Sequence, residues 1–155
     1  VLDNIANLDD TTKINDPRMA YMPDYFKQMW NPKNDFRFKN APKSYFEAER
    51  KLYQLQSKLV SQLEKKGVKI IAGTDYSNPY CYPGFSLHDE LELMVKGGMS
   101  TAAALKAATY HPALFMQKEA HFGQVKKGQL ASLLILDANP LDDINNTLKI
   151  NAVIN

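Results

Sequence analysis

Asp75 is the residue of this sequence whose position most suggests chemistry. It follows the apolar run Val68 to Ala72 through a Gly-Thr step, which places one carboxylate just beyond the end of an apolar segment. Barrels and doubly wound sheets place their chemistry at the carboxyl ends of buried parallel strands. Three roles fit Asp75: a metal ligand, a general base, or a residue that caps a turn or helix. Position alone favours the third, because Asp is common in turns.

Histidine and cysteine residues offer little that would complete a metal or nucleophilic site. His88 lies in the first turn of a predicted helix, where a lone histidine is more often structural or exposed, and His111 and His121 are isolated. The sequence has no His-x-His and no cysteine pair, so it holds no self-sufficient metal site. Cys81 has no basic neighbour in sequence that would favour a nucleophilic thiolate. Serine-nucleophile and phosphate-binding motifs are absent.

The elements expected to position Asp75 are a helix and a short strand. Ser44 and Glu47 have the spacing of a capping box, and leucines then recur at helical spacing up to Gly67. Val68 to Ala72 is predicted to be a strand buried on both faces, as in a parallel sheet. A helix, a tight turn and a parallel strand form half of a β/α unit.

Further elements follow Asp75. A second helix is predicted from Ser86 to the Gly97-Gly98 pair, and a third helix begins after the cap Ser100. Pro112 suits the first turn of a fourth helix. From Phe122 the pattern changes to short runs, and strands are predicted at Leu133–Leu136, buried, and at Lys149 to Ile154.

Residues 16–42 form an unusually aromatic segment. They contain four prolines, which disfavour helix at each preceding residue, together with six large rings. The rings are Tyr21, Tyr25, Phe26, Trp30, Phe36 and Phe38. A long loop that is pinned onto a hydrophobic neighbour is one interpretation. A flap over a substrate pocket, or part of an oligomer interface, is the other.

Composition limits the class of protein. At 155 residues, with 45% hydrophobic and 23% charged residues, the chain fits one ordinary globular domain. A net charge of +2 without a basic stripe argues against a nucleic-acid partner. One cysteine excludes an internal disulfide, and the short apolar runs predict no membrane span. Because Val1 is not a methionine, we expect a piece of a longer protein or a mature form, and the compartment is unassigned.

Several segments in order resemble the C-terminal part of the metal-dependent amidohydrolase superfamily, in the branch of imidazolonepropionase and Xaa-Pro dipeptidase-like enzymes. They cover residues 68–155, and residues 16–30 look like the segment after the seventh barrel strand. The segments are VKIIAGTD (68–75), PGFSLHDEL (83–91), GMSTAAALKAAT (98–109), HPA (111–113), FGQVKKGQLASLLILDANPLDDI (122–144) and the closing 150–154.

This resemblance implies an α/β fold: the last strand and flanking helices of a TIM-like (β/α)8 barrel, plus part of a small β-sandwich. Residues 1–43 would be the aromatic region after strand 7, 44–120 the end of the barrel, and 121–155 the sandwich. The intact enzyme would hold one or two divalent ions, expected to be zinc. Asp75 would be a ligand of the metal and would also carry a proton. Tyr76 and His88 would contact a small-molecule substrate.

The sequence also departs from the family pattern. His111 stands where the family has Asn before Pro-Ala, and Ser132 stands where it has Asp; both positions look structural. The family's other metal ligands have no counterpart here, and an intact barrel needs about 250 residues. We therefore expect the chain to be inactive alone, as the C-terminal piece of a hydrolase of amide-type C–N bonds in a cyclic amide or small peptide.

Two other functions are compatible with the residues around Asp75. The first is a non-catalytic α/β interaction module in which Asp75 only caps a turn and the aromatic segment binds a partner. The second is an unrelated hydrolase or phosphotransferase with a strand-end Asp, which the late matches from Phe122 disfavour. A homo-oligomer is compatible with the sequence, and substrate identity is open.

Overall fold

Helix α3, Lys43–Lys65, is the longest element of the protein, whose computed structural model describes all 155 residues. The other elements are α1 Leu2–Ala6, 3₁₀ helices Thr11–Asn15, Pro17–Tyr21 and Ile144–Leu148, α2 Asp24–Met29, α4 Ser86–Lys96, α5 Thr101–Ala108, α6 Tyr110–Phe115, β1 Leu133–Leu136 and β2 Ile150–Ile154. Two units are distinguished: unit 1 contains Val1–Gln56 and Thr74–Ser86, and unit 2 contains Ser57–Gly73 and Leu87–Asn155. No helix is both long and apolar enough to cross a membrane.

Unit 1 has an aromatic core. Trp30 is 1% exposed, and its ring centroid lies 5.8 Å from that of Tyr80 and 5.6 Å from that of Tyr82. Phe38 and Phe46 complete the cluster with Leu8 and Met22. Burying such rings supplies most of the hydrophobic free energy of a small core. The aromatic segment 16–42 is thus packed onto a hydrophobic neighbour, as the first interpretation expected, but it contains a 3₁₀ helix and α2 rather than a long loop.

The same segment contains two copies of one local motif. In Asp16-Pro17-Arg18 and in Asp35-Phe36-Arg37, the aspartate accepts the backbone N–H of the arginine and a forked pair of guanidinium hydrogen bonds. The Nη2–Oδ2 distance is 2.7 Å in both. These hydrogen bonds lower the pKa of both aspartates. They tie short turns together in a segment whose prolines prevent a continuous helix.

Unit 2 packs small and flexible side chains around the alanine-rich helix α5. Its core contains Leu91, Met94, Met99, Ala104, Ala107 and Ile144. Ser100 Oγ accepts the N–H of Ala103 and caps α5 as predicted, and Pro112 lies in the first turn of α6. β1 and β2 pair antiparallel, with Leu133 opposite Ile154 and an irregularity between Ile135 and Leu136.

The predicted strand Val68 to Ala72 is the main error of the sequence analysis. Residues 68–75 form no strand, and Val68 and Ile71 are 46% and 43% exposed rather than buried. A strand exists only where a neighbouring strand accepts its hydrogen bonds, and the one sheet here is the β1–β2 pair. Ala72 N instead donates to the Ala107 carbonyl at 2.9 Å. No parallel pair of strands occurs.

Smaller corrections concern helix starts and strand burial. α3 begins at Lys43, so Ser44 lies in its first turn and is not the cap. Ser86 Oγ accepts the N–H of Tyr82 at 2.8 Å and therefore bonds backwards along the chain. β1 is half-exposed rather than buried, with Leu134 at 54%. The predicted division at residues 43 and 120 stays a prediction.

Candidate functional site

Asp75 lies in a tight turn in unit 1 whose conformation is unusual for a residue with a side chain. Its φ is +49°, in the left-handed region that Asp and Asn tolerate better than other non-glycine residues. Its carbonyl accepts the backbone N–H of Asn78 at 3.2 Å. The Asn78 side-chain amide donates to the same carbonyl at 3.0 Å and to Asp75 Oδ2 at 2.9 Å. Asn78 therefore fixes both the turn and the carboxylate.

The turn is anchored to the core of unit 1. Trp30 Nε1 donates to the Ser77 carbonyl at 3.0 Å, and Cys81 N donates to the Asn78 carbonyl at 3.1 Å. Tyr76, which is 47% exposed, places its ring 5.6 Å from that of Phe26. Since Trp30 is buried, the loop that carries Asp75 is held by a rigid side chain. Trp30 was predicted only as one of the six rings of the aromatic segment, and no sequence pattern linked Trp30 or Asn78 to Asp75.

The carboxylate of Asp75 fits one position in a metal site. It is exposed, and Oδ1 has no hydrogen-bond partner in the chain while Oδ2 is occupied by Asn78. A carboxylate oxygen with free lone pairs is a suitable ligand for zinc and other divalent ions. No group of three or more His, Cys, Asp or Glu side chains is placed to hold a metal ion. The chain thus offers one ligand and does not complete a site.

His88, in unit 2, lies on α4. Its Nδ1 is 2.9 Å from Thr147 Oγ1, on the 3₁₀ helix Ile144–Leu148, and the ring is half-buried. Thr147 is only 6% exposed. The two residues are 59 positions apart in sequence, so no local pattern indicates this contact. The structure places the predicted substrate residue Tyr76 beside Asp75 in unit 1, and His88 belongs to unit 2.

Glu90 is a titratable residue of unit 2 that no sequence motif indicates. Its Oε1 accepts the backbone N–H of Gly73 at 3.3 Å. Burial raises the pKa of Glu90, and the hydrogen bond from Gly73 lowers it by a smaller amount. α4 therefore holds the backbone two residues before Asp75 through a partly desolvated carboxyl group.

His111 and Cys81 have structural surroundings. His111 Nδ1 donates to the Ile70 carbonyl at 2.8 Å, which assigns the proton to Nδ1 because a carbonyl can only accept. The histidine that departs from the family pattern thus holds the apolar run before Asp75. Cys81 is buried, and its Sγ accepts from Asn4 Nδ2 at 3.7 Å. A buried thiol in that setting is not a reactive one.

Comparison with known proteins assigns the chain to a family. The model described as "Amidohydrolase family" matches residues 28–155. The chain belongs to the amidohydrolase family. This confirms the resemblance to the amidohydrolase superfamily that rested on residues 68–155, whereas the looser match at residues 16–30 lies almost wholly outside the matched range.

Two kinds of relative of this amidohydrolase chain are informative. An ochratoxinase of Aspergillus niger is 39% identical over 82 residues, which are 52% of this chain and 16% of the relative. Ochratoxinases of two further strains of that fungus match equally. A crystal structure of a Xaa-Pro dipeptidase with bound methionine in the active site is 25% identical, with a TM-score of 0.61 over 92% of this chain and 32% of that chain. The chain spans about a third or less of these relatives.

Membership of the amidohydrolase family and likeness to the dipeptidase imply a TIM-barrel-like α/β fold. The chain itself is rich in helix and has one small sheet, the antiparallel pair β1–β2.

Proposed function

We propose that the chain is the C-terminal part of a metal-dependent hydrolase of amide-type bonds, in a cyclic amide or a small peptide. The observation that carries this proposal is the Asp75 turn. Its carboxylate is exposed on a turn anchored by Trp30, and one oxygen is free while Asn78 holds the other. A carboxylate held at one oxygen and free at the other can bind a metal ion in a fixed orientation. Family membership and the named relatives support the same reaction class.

In this proposal Asp75 has two tasks. When bound, a divalent ion, zinc in our proposal, supplies Lewis acidity that makes water acidic near neutral pH. Asp75 Oδ1 provides one ligand oxygen. The carboxylate of Asp75 also accepts a proton from the attacking water and returns it to the leaving amine nitrogen, because a carboxylate is a suitable proton carrier. Tyr76 and His88 contact the substrate. The remaining ligands come from elsewhere in the complete enzyme, and the chain alone has no activity.

The test is Asp75→Asn in the complete enzyme. Turnover of a panel of dipeptides and cyclic amides should fall by at least about 100-fold, since a general base contributes about 10²–10⁴-fold. Metal content, measured by elemental analysis, should fall as well. Asp142→Asn is the matched control, because Asp142 is exposed and its carboxylate has no hydrogen-bond partner. Near-normal turnover by Asp75→Asn would contradict the proposal.

A non-catalytic interaction module is the second candidate, and one observation favours it. Tyr21, Tyr25 and Phe36 in the aromatic segment are 75%, 70% and 83% exposed, which is unusual for large rings. The hydrogen bonds between Asp75 and Asn78 also suit a turn cap. This candidate predicts that Asp75→Asn leaves every measured function unchanged, whereas Tyr25→Ala with Phe36→Ala weakens partner binding.

A further inference from the structure

The contact between His88 and Thr147 determines which nitrogen of the imidazole carries the proton. Thr147 Oγ1 lies 2.9 Å from His88 Nδ1 and 2.9 Å from the Ile144 carbonyl oxygen, to which it donates. Thr147 and Ile144 are 6% and 4% exposed, so water does not compete for these positions. A hydroxyl group has one proton and two lone pairs.

Counting donors leaves one satisfactory arrangement. If the Thr147 hydroxyl proton pointed at His88 Nδ1, the oxygen atoms of Thr147 and Ile144 would face each other 2.9 Å apart with no proton between them. If it points at the Ile144 carbonyl, Thr147 accepts a proton from His88 Nδ1–H and both hydrogen bonds form. Buried polar atoms are paired wherever the geometry allows it, so the second arrangement is favoured.

The other ring nitrogen, Nε2, then has a lone pair and no proton in the neutral ring. It makes no hydrogen bond within the chain, although the ring is half-buried. A half-buried imidazole with one nitrogen fixed and the other unpartnered is suited to accept a hydrogen bond from a ligand.

We propose that Thr147 is a positioning residue that holds His88 in the Nδ1–H tautomer, so that Nε2 accepts a hydrogen bond from an N–H group of the substrate. This inference rests on the proposed function, in which His88 contacts the substrate. It names a substrate class: a secondary amide or peptide, which has an N–H to donate. A neutral His88 in this tautomer has no proton on Nε2 with which to bind a carboxylate.

The tautomer is tested directly by NMR on the complete protein labelled with ¹⁵N-histidine, at a pH where His88 is neutral. The His88 resonances are those that disappear in His88→Phe. The expected result is a protonated Nδ1 and an unprotonated Nε2, retained in Thr147→Ser and shifted toward a mixture of tautomers in Thr147→Val. A protonated Nε2 in the unmodified protein overturns the proposal, and only the assignment of the His88 resonances uses a variant.

The role toward substrate is tested by kinetics. The fastest secondary amide of the dipeptide panel is compared with its N-methyl counterpart, which lacks the N–H. The unmodified enzyme should prefer the N–H substrate, and Thr147→Val should reduce that preference by about 3- to 10-fold in kcat/KM, chiefly through KM, as expected for one hydrogen bond. Thr147→Ser should restore it. An unchanged preference in Thr147→Val, with the tautomer altered, overturns the substrate assignment.

Failure of this inference and failure of the proposed function are distinguishable. Full turnover by Asp75→Asn contradicts the proposed function and leaves the NMR result standing. Loss of turnover by Asp75→Asn, together with a protonated His88 Nε2, contradicts only the role of Thr147.

Discussion

The side-chain amide of Asn78 donates to Oδ2 of Asp75 at 2.9 Å and to its carbonyl oxygen at 3.0 Å, so one residue orients both the carboxylate and the turn that carries it. The backbone N–H of Asn78 donates to the same carbonyl. An ionised carboxylate gains more from such a bond than a neutral acceptor does. The free oxygen, Oδ1, consequently has a defined direction even though Asp75 is exposed.

Asn78→Ala should therefore lower kcat without removing activity. The expected loss is about tenfold, because one hydrogen bond to a charged group is removed while the carboxylate itself remains. Asn34→Ala is the matched control: its Nδ2 donates to the Gln28 carbonyl, also in an exposed position of unit 1. Steady-state kinetics of both variants decides the point. Equal losses in the two would mean that Asn78 has no particular effect on Asp75.

Trp30 should contribute to stability through both its ring and its indole N–H. Trp30→Phe keeps an aromatic ring in the core but loses the hydrogen bond to Ser77 and some volume, so the free energy of unfolding should fall by about 1–3 kcal/mol. Urea denaturation followed by circular dichroism measures the change. Phe36→Ala is the control, because Phe36 is 83% exposed and surface changes are usually within about 0.5 kcal/mol. A similar loss in both variants would contradict the role given to Trp30.

Local patterns allowed the helices to be predicted from sequence. The leucine spacing in α3, the cap at Ser100 and the proline in the first turn of α6 each act within a few residues, and the structure contains all three elements. The strand at Val68 to Ala72 could not be judged this way. Its formation depends on hydrogen bonds to neighbouring strands, which a sequence pattern does not contain.

The candidate site was predictable only in part for the same reason. Asp75 stands out because it follows an apolar run in sequence. Trp30 and Ser77 are 47 residues apart, and His88 and Thr147 are 59 residues apart, so their hydrogen bonds leave no local signal. Asn78 is near Asp75 in sequence, but an Asn in a turn is common enough that its spacing alone indicates nothing about chemistry.

Glu90 should make stability depend on pH. Burial raises its pKa in the folded protein above the ordinary value of 4.5, so the folded state binds a proton more tightly than the unfolded state. The stability that this group contributes is fully present below pH 4.5. It is lost as the pH rises through the higher pKa that Glu90 has in the folded protein. Glu90→Gln is neutral at all pH values and can still accept the Gly73 N–H through Oε1.

The stability of Glu90→Gln relative to the unmodified protein should therefore increase from acid toward neutral pH. Denaturant unfolding at several pH values between about 4 and 8 measures this difference. Glu47→Gln is the control, because Glu47 is exposed near the beginning of α3. A difference that stays constant with pH for Glu90→Gln would show that burial does not perturb this carboxyl group.

Gly97 should not tolerate a side chain, because a Cβ there would lie 2.5 Å from the carbonyl oxygen of Ser57 and 3.2 Å from its carbonyl carbon. These are backbone atoms of α3 and cannot rotate away as a flexible side chain would. Gly97→Ala should thus force the end of α4 away from α3 and lower the free energy of unfolding by about 1–3 kcal/mol, the usual effect of overpacking.

Gly73→Ala is the matched control for Gly97→Ala. A Cβ at Gly73 meets no atom within 4 Å, and the φ of Gly73 is not in the left-handed region. Alanine there should leave stability unchanged or raise it by about 0.4–1 kcal/mol, since it restricts the unfolded chain. Thermal and urea unfolding of the two variants give the comparison. Equal stability of Gly97→Ala and Gly73→Ala would mean that α3 and α4 can separate at Ser57 without cost.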